Sequence, residues 1–116
     1  MNQPSEIANF LDEQYGEDTE ILQELIESLA EVREAYADQI QKAFESGNRK
    51  TMAEACHEIK GVVSNLGETD CWRLVLTCEK ASKTDDTRIP WERSHFLEVY
   101  NDMLSSATQY LNNMAS

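Results

Sequence analysis

Between Leu22 and Ala43 the apolar residues return every three or four positions: Leu22, Leu25, Leu29, Val32, Tyr36, Ile40, Ala43. That period matches a helix of 3.6 residues per turn and mismatches a strand, whose side chains alternate every two. A run of this length fixes the fold class as helical. Asp18 or Thr19 opens it and "SGN" at Ser46–Asn48 closes it, so one core helix of about seven turns is expected. Ser5 is read as the N-cap of a short leading helix, with Ile7, Phe10 and Leu11 as its apolar edge and Gly16 as its stop.

The same period continues after Asn48, which is placed to cap the next helix; that helix runs to Gly67. After a short connection comes a helix with Cys71, Leu74, Val75, Cys78 and Ala81 inward, then the polar loop "SKTDDTR". Pro90 is suited to the first turn of a last helix. Its stripe is Leu97, Tyr100, Leu104, Ala107, Leu111 and Met114, widened by Phe96, Met103 and Tyr110. Four amphipathic helices with short links predict an all-α fold: an antiparallel up-down four-helix bundle with a short extra N-terminal helix. With 116 residues, positions 1–116 form one domain with one core.

Charge narrows the function. Ten Lys and Arg against 22 Asp and Glu leave a net charge of −12, which disfavours nucleic acid and an anionic membrane surface as partners. No stretch approaches the roughly 18 apolar residues of a membrane span, and the start carries no leader pattern. A cytoplasmic protein is expected. The initiating methionine and compact length favour a free-standing chain over an excised domain. Cys56, Cys71 and Cys78 read as small buried hydrophobes; no close pair suggests zinc, and no metal site is expected.

Within this pattern "CHEIKGVVSNLG" poses a question, because a glycine inside a helix costs about 1 kcal/mol relative to alanine. At about 100° per residue, Met52, Ala55, Cys56, Ile59, Val62, Val63 and Leu66 form one apolar face. His57 lies opposite, among Lys50, Ala53, Glu54, Lys60, Gly61 and Ser64. A histidine in a core would be the commoner case, but this one is turned to solvent. Its neighbours at i−4, i+4 and i+7 are Ala53, Gly61 and Ser64, all small, where a merely solvated face carries Glu, Lys or Arg. The glycine then has a use: a partner can approach the ring closely. An exposed, unprotonated imidazole is a nucleophile toward phosphoryl groups, and Lys60 could offset the transferred charge. The sequence carries no phosphate-binding loop, so donor and metal are expected from a partner.

The run H-x-x-K-G-x-x-x-N-L-G from His57 to Gly67 resembles the signature of histidine-containing phosphotransfer (HPt) domains, and the helical layout resembles their bundle. Downstream, Leu74 and Glu79 stand at matching places in "GETDCWRLVLTCEKA". The resemblance implies that His57 accepts a phosphoryl group from the aspartate of a response-regulator receiver domain and passes it to another regulator, within a relay begun by a sensor (hybrid) histidine kinase. Lys60 would face the phosphate, Gly61 would clear the way for the receiver, and Gly67 would end the helix. The chain would need no cofactor of its own, Mg²⁺ being held by the receiver, and would work as a monomeric carrier without kinase activity. Cys56 departs from the family's frequent alanine, and Glu58 brings a negative charge that should point aside.

The docking surface is expected to include Lys50, Ala53, Glu54 and Ser64, with the end of the long second helix near Phe44 as neighbour. The alternative is a four-helix adaptor of the same fold that docks a receiver or kinase domain without being phosphorylated. A small enzyme using His57 as a base would need a pocket and an orienting carboxylate, for which only Glu54 and Glu58 stand near in sequence. His95 reads as an ordinary surface histidine, and Trp72 and Trp91 as packing residues.

Overall fold

Six α-helices follow the order α1 (Pro4–Tyr15), α2 (Thr19–Glu31), α3 (Arg33–Glu45), α4 (Arg49–Val63), α5 (Asp70–Ser82) and α6 (Arg93–Ala115) in a computed structural model. It describes residues 4–84 and 87–115, and among these no strand occurs. The helices pack into a body with extents of 49 × 25 × 20 Å.

The caps follow from side-chain chemistry. Asp18 accepts from the Ile21 amide, Asn48 from Thr51 and Thr69 from Trp72, each supplying an acceptor that the first turn of a helix lacks. Gly16 and Gly47 end α1 and α3; Gly47 does so at φ 70, where only glycine is free of Cβ strain. A 3₁₀ turn, Ser64–Leu66, tightens the end of α4 before Gly67 reverses the chain at φ 98. A Cβ on Gly67 would stand 3.2 Å from the Phe10 ring, so this glycine also lets α1 close over the end of α4.

Three expectations need correction. The seven-turn helix is two helices, because Val32 leaves the helical region at φ −97, ψ 4. No glycine or proline marks the spot. Instead α6 holds the break open: the buried Tyr100 hydroxyl donates to the Leu29 carbonyl at 2.6 Å, and Arg33 Nη1 donates to Asn101 Oδ1 at 2.6 Å. A carbonyl in a last helical turn lacks an intrahelical donor, and Tyr100 supplies it. Pro90 lies ahead of α6, in a turn where the Trp91 amide donates to the Ile89 carbonyl at 2.9 Å; the Trp91 indole is buried, donating to Gln41 Oε1 at 2.6 Å. Ser5 sits inside α1, which already begins at Pro4.

The core runs the length of the molecule. Leu11, Leu22, Ile40, Met52, Ile59, Leu66, Val75, Phe96 and Tyr100 are all fully enclosed. Phe96 stacks at tilted angles between Trp91 and Tyr100, with ring centres 5.3 and 5.5 Å apart. The buried face of α6 centres on Phe96, Tyr100, Met103 and Ala107, while Leu97 and Leu111 are half-buried and Met114 is exposed. Cys56, Cys71 and Cys78 are free and buried. Burial pushes the Cys71 thiol up to about 12, and a hydrogen bond with Cys78 together with burial raises Cys56. Both are inert packing groups at neutral pH. α4 packs between α3 and α5, and α6 lies against α1, α2, α3 and α5. No helix among the described residues is long and apolar enough to cross a membrane.

Candidate functional site

The α4 face that carries the core residues Met52, Ala55, Cys56, Ile59 and Val63 leaves His57 on the far side, and its side chain is 73% exposed. The ring is nevertheless not free to turn. Nδ1 lies 2.9 Å from Glu79 Oε2, a carboxylate brought across from α5. Glu79 is the surprise of the site, an acidic side chain only 4% exposed. Its other oxygen, Oε1, accepts from Lys60 Nζ at 2.6 Å, and Oε2 also accepts from Lys83 Nζ at 3.3 Å.

Burial would raise the Glu79 carboxyl, but the hydrogen bonds from Lys60, His57 and Lys83 outweigh it and hold the group down at about 2. The side chain is therefore ionised throughout the neutral range. An ionised carboxylate only accepts, so the ring proton belongs on Nδ1. In the neutral ring this leaves the lone pair on Nε2.

The three donors differ in how tightly they are held. Lys60 is 22% exposed, with its ammonium committed to Glu79 at the shortest distance of the set. Lys83 is 62% exposed and makes the longest contact. Gly61 lies one turn beyond His57, exposed, and a Cβ built there meets nothing within 4 Å. The backbone conformation is ordinary helix, so neither packing nor φ within this chain requires glycine at that position.

An open groove between α4 and α5 adjoins the ring. Lys50, Glu54 and His57 line it from α4, Glu79 and Ser82 from α5, and Lys83 from the residue that caps α5. Lys50 and Glu54 are exposed as expected. Ala53 is not; it is largely covered, at the floor of the same groove. Ser64 is half-buried and turns its hydroxyl back to the Gly61 carbonyl at 2.6 Å. Glu58 accepts from Gln39 Nε2 of α3 at 3.1 Å, away from Glu79. Arg49, also on the groove wall, is spent on the carbonyls of Ala81 (2.8 Å) and Thr87 (2.8 Å), where it ties down the chain after α5.

The element that brings a carboxylate to the ring is thus α5, while α3 meets the other side of α4 through Gln39 and Glu58. In the sequence Glu79 stands out only as a matching place in the HPt-like pattern. The missed signal was local: Glu79 follows Cys78 directly and Val75 by four residues, so a carboxylate falls on the buried face of α5, where an acid is rare unless paired. His95 is exposed on α6. Among the described residues no cluster of three or more His, Cys, Asp or Glu side chains is arranged to hold a metal. Compared with family models, curated proteins and solved structures, the chain matches none.

Proposed function

We propose that the chain is a histidine phosphocarrier of the HPt kind, acting in the cytoplasm between receiver domains of a phosphorelay. In this reading α2 with α3, then α4, α5 and α6, are the legs of an antiparallel up-down four-helix bundle, and α1 is the extra N-terminal helix. The observation that carries the proposal is the bond between the Nδ1 of an exposed imidazole and a buried, ionised carboxylate.

Such a ring presents one nucleophilic nitrogen. The Nε2 lone pair of His57 attacks the phosphorus of an aspartyl phosphate; the N–P bond forms, the P–O bond to the aspartate breaks, and the carboxylate leaves with that electron pair. The Nδ1 proton stays where it is, so the ring becomes cationic as the phosphoryl group arrives. Glu79 Oε2 stands 2.9 Å from Nδ1, which carries that proton, and stabilises the charge as it develops. Because the carboxylate is already ionised, no proton transfer accompanies the step. The reverse reaction returns the phosphoryl group to a second receiver by the same path, as a carrier requires. The convex, open setting suits this exchange, since a receiver must bring its own aspartate and Mg²⁺ to the ring.

Gly61 fits the same reading. A helix-interior glycine that nothing in its own chain requires marks where another surface approaches. A pairing of histidine and carboxylate also orients a general base, but the shallow groove would leave a small substrate largely in water.

The test is transfer from prephosphorylated receiver domains in Mg²⁺ to wild type and to His57→Gln. Acid-labile, base-stable phosphate on wild type and none on the variant is expected. Binding of receivers without labelling of the folded chain would replace the carrier by a docking adaptor.

A further inference from the structure

The residue that sequence spacing assigns to the phosphate is already occupied. Lys60 Nζ holds Glu79 Oε1 at 2.6 Å and the side chain is mostly covered, so releasing it would take from that buried oxygen the donor it now has. Lys83 stands differently. It shares oxygen Oε2 of Glu79 with the His57 ring, at the longest distance of the set, and most of its side chain is in water. It lines the same groove as His57, four residues beyond Glu79 at the C-cap of α5. Of the other groove cations, Arg49 is tied to the carbonyls of Ala81 and Thr87, and Lys50 is not bonded to the ring or to Glu79 among the described residues.

We infer a division of labour that rests on the phosphocarrier reading: Lys83 is the cation that swings from Glu79 to the phosphoryl group on Nε2 of His57, and Lys60 is a positioning residue that keeps Glu79 against Nδ1. Losing the Lys83 contact leaves Glu79 still bonded to Lys60 and to the ring, which is why this arm can move. Its long, flexible stem keeps the ammonium mobile. The covalent step is unchanged, and Lys83 forms no bond to phosphorus; it screens the oxygens of the phosphoryl group once that group has reached the ring.

The experiment uses potassium phosphoramidate, a small donor that phosphorylates imidazoles without a protein partner, on the full chain. Phosphorus NMR follows formation and hydrolysis of phosphohistidine, and nitrogen NMR reports the tautomer of unmodified His57. Lys83→Gln should shorten the phosphohistidine lifetime roughly fivefold, the upper scale of one solvent-exposed ion pair, while the Nδ1–H tautomer signature stays as in wild type. Lys60→Gln should shift that signature toward a mixture, and Lys60→Arg should restore it.

An unchanged lifetime in Lys83→Gln overturns the inference. So does a Lys60→Gln variant that shortens the lifetime with the tautomer intact, which would put Lys60 on the phosphate directly. Failure of phosphoramidate to modify His57 in the native chain overturns it too. The carrier reading fails separately: if no receiver labels the chain, its relay role is lost, whereas the phosphoramidate lifetimes still decide between Lys60 and Lys83.

Discussion

His57 and Glu79 are 22 positions apart in the chain and 2.9 Å apart in space, and the chemistry of each depends on the other. Because the Glu79 carboxyl is held at about 2, against an ordinary 4.5, the folded chain binds fewer protons than the unfolded chain between those values. This group's stabilisation is therefore complete above about pH 4.5 and is lost as pH falls toward 2. Glu79→Gln should remove up to about 1.4 kcal/mol per pH unit from the acid slope in that window, measurable by denaturant titration at several pH values. The same variant should slow phosphorylation of His57, since an amide leaves the ring free to adopt either tautomer. Gly61→Ala separates stability from function. With open space at the Cβ, alanine should stabilise α4 by up to about 1 kcal/mol in thermal melts. Transfer from a receiver should nonetheless fall, whereas phosphorylation by phosphoramidate should not. The exposure of His57 was legible from the helical wheel because it depends only on α4. Its tie to Glu79 was not, because it depends on the rotation of α5 against α4.

At the scale of elements, the sequence period located the apolar faces well and the chain breaks unevenly. Gly16, Gly47, Asn48 and Gly67 act locally, so their stops and caps could be read directly. The interruption at Val32 could not, since its cause is Tyr100 and Asn101 on a distant helix. Tyr100→Phe should test that cause. It keeps the ring in the core and removes the donor to Leu29, which leaves a buried carbonyl short of a partner; a loss of about 1–2 kcal/mol is expected in chemical denaturation. A variant as stable as the parent would mean the break does not depend on the hydroxyl. Gly67→Ala combines an unfavourable φ with crowding against Phe10, so it should destabilise by at least about 1 kcal/mol. Its effect belongs to the junction of α1 with α4, and His57 chemistry in the folded fraction should be unaltered.

Across the whole molecule, an acidic body of net charge −12 carries its histidine beside two lysines gathered on one carboxylate. The site is thus a local exception to the overall field, and in the proposed carrier reading this positive charge faces the anionic oxygens of the phosphoryl group. Helix packing does this by bringing α5 against α4, so that a buried acid lies directly under an exposed base. The most direct measurement is nitrogen and phosphorus NMR of the isotopically labelled chain after incubation with a prephosphorylated receiver domain and Mg²⁺. Phosphorus bonded to Nε2 of His57, with the proton retained on Nδ1, is the result this account predicts. Phosphorus on Nδ1, on another residue or nowhere on the folded chain would contradict it.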